Sequence, residues 1–402
     1  MRCLFVHNHY LERGGEDESV KAEIQMLRDQ GHDVEVHIDT NERIAQIGKL
    51  SAGVQSIWSN PTYKAINQRL QSSTFDIVHI QNFFPLVSPA AHYAAKSNGV
   101  PVVQSLRNYR LICPNGLLHR NRQVCEQCVD KFIPLPGIQH KCYRNSYLAS
   151  AVAATTLVTH RVLRTWQRQV DAFITPCEFT RQKFIQAGFP ANKLFVKPNF
   201  VSFDPGFSEL GGDHFLFVGR LAPEKGLEIL VEAWSRLDQR LKLKIVGSGP
   251  LEEWIRSKAC QHKHIEYLGF QPHAITQGLI SQAKALIFPS TWYETFGRVV
   301  IEAFASGTPV IASDIGGIPE MVRHERNGLL FAPKDSEDLI DKVLCLDASP
   351  DNNQKMRRNA RDDFERYYTA ESNYRILMDI YQKAIASCQT PPIATLEARF
   401  GI

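Results

Sequence analysis

No stretch of this 402-residue chain reaches the roughly 18 consecutive apolar residues needed to span a bilayer. The apolar run in its opening Met-Arg-Cys-Leu-Phe-Val is also too short for the core of a secretion signal. These two absences predict a cytoplasmic protein, whose nine cysteines serve as thiols or metal ligands rather than disulfides. Gly-x-Gly-x-x-Gly is missing after the first strand candidate, where Gly14-Gly15 stands instead, which argues against a nicotinamide-dependent oxidoreductase. There is no Asp-x-Asp segment to hold a catalytic metal on a diphosphate, no short-period repeat and no low-complexity segment. Acids are scarce in one region. Between Ile77 and Val170 only Glu126 and Asp130 stand against eleven Lys and Arg, a surplus of nine positive charges in a chain whose net charge is +4. Such a split suits an anionic partner or a solvated basic face. No recognised nucleic-acid module accompanies it, so phosphates or an anionic membrane surface are the expected partners and nucleic acid is not.

What is present reads as α/β. At this length two domains with a cleft between them are expected, and 44% hydrophobic residues supply two cores. Short apolar runs alternate with longer amphipathic segments, the pattern of a parallel sheet. In the first half the predicted strands are Leu4–His7, Val34–Ile38, Ile77–Ile80, Val100–Gln104 and Ala172–Thr175. In the second they are Phe215–Val218, Leu243–Val246, Ile265–Leu268, Ala285–Phe288 and Val310–Ala312. The turn-rich stretch from Lys197 to Gly206 reads as a hinge. The domains are therefore expected at residues 1–200 and 207–370, with ligands at the carboxyl ends of the strands.

Two segments of the second half carry chemistry. Phe217-Val-Gly-Arg-Leu-Ala-Pro-Glu-Lys-Gly226 leaves the first strand, and Gly219 lets Arg220 and Lys225 gather near its carboxyl end. Arg grips a diphosphate bidentately and Lys adds a point charge. Further on, Glu294-Thr-Phe-Gly297 precedes a helix bearing Glu302 about two turns along. Amides at Phe296, Gly297 and Arg298 suit phosphate oxygens, aided by the helix dipole. Glu294 and Glu302 would repel phosphate, so they suit hydroxyls of ribose and a sugar.

This arrangement resembles the Glu-x7-Glu motif of family 4 glycosyltransferases, the group 1 type, which are retaining enzymes of the GT-B fold used in polysaccharide assembly. The resemblance extends to Gly14-Gly-Glu-Asp, Pro198-Asn-Phe-Val and Gly316-Gly-Ile-Pro-Glu320. It implies two Rossmann-like domains facing each other, with a last helix over 371–388 crossing back onto the first. It implies a nucleotide diphosphate sugar as donor, UDP-glucose by default and GDP-mannose next, and a saccharide or lipid-linked saccharide as acceptor. Gly15, Arg220, Lys225, Thr295, Phe296 and Gly297 would hold the donor. Glu294 would meet the donor sugar and Glu302 the ribose, with Glu294, Arg220 and Lys225 as the catalytic set and no cofactor required. Another GT-B enzyme such as an epimerase, and a catalytically silent sugar-nucleotide binder, remain the alternatives.

On the acceptor side, Gln81, Asn82 and Arg107 follow two strands and are expected to face the cleft. Related sequences often carry histidine at the first and last of these places. Cys113, Cys125, Cys128 and Cys142 form a Cys-x11-Cys-x2-Cys-x13-Cys run that suits structural zinc, with free thiols or a redox-labile pair as the other readings. Finally, Thr156–Val170 puts Arg161, Arg164 and Arg168 at helical spacing beside Trp166. That reads either as an amphipathic helix on the inner face of a membrane or as a helix packed on its own domain.

Overall fold

The computed structural model describes residues 1–11 and 14–389. Two six-stranded parallel sheets carry the chain. The first comprises β1 (Arg2–His9), β2 (Asp33–Thr40), β3 (Ile77–Asn82), β4 (Val102–Ser105), β5 (Ala172–Thr175) and β6 (Leu194–Val196), in the order β2-β1-β3-β4-β5-β6. The second comprises β7 (His214–Val218), β8 (Lys242–Val246), β9 (Ile265–Gly269), β10 (Ala283–Phe288), β11 (Val310–Ser313) and β12 (Gly328–Phe331), in the order β9-β8-β7-β10-β11-β12. This is the two-domain GT-B architecture. In each sheet the order of strand addition reverses beside the first strand, at β1/β3 and at β7/β10, and ligands bind at such switch points.

Sequence patterning explains the strands. Cys3, Leu4, Phe5 and Val6 are fully buried, as the interior strand of a sheet covered on both faces requires. The ten expected strands all form, most of them longer by a residue or two. Two more, Leu194–Val196 and Gly328–Phe331, each form one edge of a sheet.

Seven helices position the site: α1 (Gly15–Asp29), α2 (Lys49–Ile57), α3 (Tyr147–Val162), α4 (Glu178–Gln186), α5 (Leu227–Arg236), α6 (Arg298–Ala305) and α7 (Ala370–Gln389). The last returns to the first domain, where Leu377, Ile380, Tyr381 and Ala384 pack in one core with Phe5, Val20 and Ile174. The linker is pinned as well as turned. The Val201 amide donates to the Tyr368 carbonyl, and Lys197 is buried.

The basic segment does not form one helix. It breaks at Arg164, which takes left-handed φ 54, before a short helix Thr165–Arg168. Trp166 turns inward, 3% exposed, among Phe83, His92 and Phe189. The tryptophan thus serves the core rather than an outer apolar face. Among the described residues no helix is long and apolar enough to cross a membrane.

Candidate functional site

The donor-side residues gather at the carboxyl ends of β7 and β10. Arg220 stands exposed just beyond Val218-Gly219. Pro223–Lys225 make one tight turn into Gly226, at φ 73, where α5 begins. A Cβ at Gly226 would lie 1.8 Å from the Pro289 carbonyl oxygen, so only glycine lets these two loops meet. The meeting sets Lys225 over the Phe288 and Trp292 rings, 5.7 and 5.5 Å from their centroids. It also brings Lys225 Nζ to 2.5 Å from Glu294 Oε1, which accepts the Ser290 hydroxyl at 2.7 Å.

Glu294 is 3% exposed and is held from behind. Its carbonyl accepts the Gly317 amide, and Gly316 packs against it at φ 64, where a Cβ would crowd the Glu294 backbone at 2.9 Å. Thr295 and Phe296 lead to Gly297, which caps α6 without any side-chain bond. The Val300 amide bonds the Gly297 carbonyl, and the Arg298 and Val299 amides ahead of it, with the positive end of the helix dipole, are left for an anion. Glu302 accepts Arg298 Nε at 3.0 Å and lies 3.9 Å from His273 Nε2. That carboxylate is the main reason His273 is raised above the usual imidazole range.

The first domain closes the opposite side. Arg298 Nη1 reaches the Gly15 carbonyl at 3.5 Å, so the starts of α1 and α6 meet. Thr295 Oγ1 donates to the Arg107 carbonyl, and the Cys177 thiol to the Thr295 carbonyl. Glu320 accepts the Glu178 and Phe179 amides at 2.7 and 2.5 Å, capping α4 from the other domain.

Gln81, Asn82 and Arg107 line one small cavity at the ends of β3 and β4. The first two do not present their amides to the cleft as expected. Gln81, 2% exposed, bonds Glu23 and Arg107; Asn82, 7% exposed, bonds the Asn8 carbonyl and the Phe84 amide. Burial requires these amides to be satisfied internally. Gln81 therefore acts by holding Arg107, whose Nη1 also donates to Asn199 at 2.6 Å.

Behind Arg107 lies a buried polar network that the sequence did not disclose. Glu23 accepts Lys197 Nζ at 2.7 Å, Lys197 donates to Asn373 at 2.9 Å, and His79 bonds the Tyr381 hydroxyl at 2.7 Å. Burial would raise Glu23, but Lys197, His79 and Arg107 outweigh it and hold the carboxyl at about 2.

A second group missed in the sequence stands at the end of β1. Asp17 Oδ1 meets His7 Nε2 at 2.8 Å and His9 Nδ1 at 2.6 Å, while Oδ2 accepts the Gly14 amide. An Asp three residues after the glycine that caps α1 was the available signal. Beside it, burial lifts Glu16 to about 7 against the opposing pull of Arg107, and its Oε1 is buried without a hydrogen-bond partner.

The four cysteines line a single cavity at the edge of the first domain. A second, larger cavity of about 400 Å³ opens between α2 and α3, lined by apolar side chains including Leu50, Val54, Phe84 and Leu148, with Lys49 and Arg144 among its walls. Arg110 lies over the Phe84 and Tyr143 rings, between this cavity and the one lined by Arg107.

Comparison with known proteins adds to this geometry. Residues 14–199 match the glycosyl transferase 4-like domain, and residues 204–363 match the glycosyl transferases of group 1. An uncharacterized glycosyltransferase of Methanocaldococcus jannaschii is 33% identical over 179 residues, 42% of this chain and 45% of that protein. Glycogen synthase of Mycobacterium tuberculosis is 34% identical over 157 residues, 38% of each chain. The matches thus span less than half of these relatives' length. Among solved structures, sucrose-phosphate synthase of Thermosynechococcus elongatus superposes with TM-score 0.70 at 16% identity, covering 96% of this chain and 99% of its own. Anabaena Alr3699/HepE in complex with UDP-glucose does so with TM-score 0.66 at 18% identity, covering 95% and 100%. At these identities the likeness is one of fold.

Proposed function

The chain belongs to the group 1 glycosyl transferases, and on that footing we propose that it moves a hexose from a nucleotide diphosphate sugar to a saccharide or lipid-linked saccharide hydroxyl with retention of anomeric configuration. The observation that carries this reading is the bond from Lys225 to Glu294 at the approach to α6. It places a cation, a buried carboxylate and unused helix amides in one cleft. The diphosphate would lie against Arg220, Lys225 and the α6 amides, which stabilise charge as the leaving group departs. Glu294 would accept hydroxyls of the sugar and Glu302 those of the ribose. The departing phosphate is the group that takes the acceptor proton, and no metal step enters.

UDP-glucose is the donor favoured here, supported by the UDP-glucose-bound neighbour of the same fold; GDP-mannose is the second choice. The apolar cavity between α2 and α3, with Arg110 between it and the cleft, supports a lipid-linked acceptor delivered at an anionic membrane surface. In exopolysaccharide or lipopolysaccharide assembly such acceptors are met at the inner membrane face.

A thermal-shift panel of UDP- and GDP-hexoses, followed by product analysis, tests the proposal. A ligand at 100 times its dissociation constant stabilises by about 2.7 kcal/mol. Stabilisation by one donor with transfer or slow hydrolysis supports the reading. Stabilisation with the donor left intact indicates a silent binder, and interconversion of the sugar without transfer indicates an epimerase.

A further inference from the structure

The segment from Cys113 to Asn145 has little regular structure to hold it. It contains two two-residue strands, His119–Arg120 and Gln123–Val124, and one five-residue helix, Leu135–Gln139. Of the ten non-glycine residues with positive φ among the described residues, six lie here: Leu118, Asn121, Arg122, Lys141, Arg144 and Asn145. Each pays a steric penalty that persists only where the surroundings over-determine the backbone. Small irregular units of this kind are commonly stapled by a disulfide or a metal. Here the cysteines are free thiols.

Those thiols come from three parts of the segment, with Cys125 and Cys128 in one turn, and face a common space. Cys113, Cys125, Cys128 and Cys142 line one cavity of about 10 Å³, room for a single small sphere. The turns are set by the backbone: the Cys125 amide donates to Leu118, and the Cys142 amide to Gly137. No carboxylate lines the cavity, whereas His119, Arg120 and His140 do. A tetrathiolate zinc carries a net charge of −2, and the Arg120 guanidinium in the wall offsets part of it. We infer that Cys113, Cys125, Cys128 and Cys142 hold a structural zinc ion that locks this segment. Among the described residues only His7, His9 and Asp17 gather ligand atoms within 4.8 Å, so the sulfurs have to close in until four bonds of about 2.3 Å form.

The lock has a purpose in the fold, because the segment reaches the donor domain. Arg122 Nη1 lies 2.8 Å from Glu228 of α5. Glu126, inside the Cys-x2-Cys turn, pairs with Lys183 at 2.8 Å and faces Tyr293, the residue before Glu294. Zinc would thus fix the edge that abuts the donor loop. This inference is independent of the transferase reading, and the two fail separately.

Metal analysis of the full-length chain purified without chelator tests it. About one zinc per chain is expected, released when the thiols are blocked by a mercurial. Replacement by cobalt(II) should give thiolate-to-cobalt charge-transfer absorption and the intense visible bands of tetrahedral coordination. The Cys125→Ser/Cys128→Ser variant should lose the metal, while Cys260→Ser/Cys345→Ser, outside the segment, should keep it. A folded wild-type chain that takes up no zinc overturns the inference. So does bound cobalt without a thiolate signature, which would put the metal on His7, His9 and Asp17. The cobalt spectrum needs only wild-type protein and stands even if the double variant does not fold.

Discussion

Lys225 Nζ lies 2.5 Å from Glu294 Oε1, joining two loops that are 69 positions apart in sequence and meet only because Gly226 lets them. On the proposed reading one partner meets the donor phosphates and the other the donor sugar, so the pair would tie the two halves of the donor together. Glu294→Gln keeps the shape and removes the charge. Transfer is expected to fall about 10²–10³-fold, the cost of losing one preorganised electrostatic contact, with the melting temperature little changed. Steady-state kinetics with a saturating acceptor checks this.

Gly226→Ala removes no functional group, yet its new Cβ would lie 1.8 Å from the Pro289 oxygen. The Lys225 loop must then move. Loss of donor-induced thermal stabilisation, as large as in Lys225→Ala, is the expected outcome. Donor binding unchanged in Gly226→Ala would show that the loop can shift without consequence.

The Glu23–Lys197 pair is buried with Asn373 and Gln81 around it. Removing one partner leaves a buried charge, which costs about 3–5 kcal/mol. Glu23→Ala should therefore lower stability by several kcal/mol in urea unfolding. Exchanging both, Glu23→Gln with Lys197→Met, should recover part of the loss.

Acid should unfold the protein through named groups. Burial holds His79 at about 3 and His92 at about 4, below the ordinary imidazole value of about 6.5. Between those limits the unfolded chain binds more protons, so stability falls as pH drops below about 6.5. Glu23, held at about 2, adds a second loss as pH falls below about 4.5. Glu16 runs the other way. Raised to about 7, it favours the folded state at low pH and loses that contribution as pH rises towards 7. The melting temperature should fall from pH 6.5 to 4.5, and His92→Asn should flatten that slope.

The donor half was legible because its residues lie within two short segments, each beside a buried strand whose apolar run is plain. The strands that escaped notice, Leu194–Val196 and Gly328–Phe331, are sheet edges of three and four residues, too short for periodicity to show. The network of Glu23, His79, Lys197 and Asn373 was illegible for another reason: it joins residues up to 350 positions apart, which only the return of α7 brings together. The segment around Trp166 read as a membrane-surface helix or as one packed on its own domain, because helical spacing alone does not show the break within it. The left-handed turn at Arg164 puts Trp166 in the core.

The central claim is that Arg220, Lys225 and the amides before α6 hold the diphosphate of a sugar nucleotide. Calorimetric titration of UDP-glucose and GDP-mannose into wild-type protein and Arg220→Ala/Lys225→Ala tests it most directly. Saturable binding of one donor by the wild type, weakened at least 100-fold in the variant while the fold is kept, is the predicted result. Equal binding by both proteins, or no binding of any nucleotide diphosphate sugar by the wild type, would contradict it.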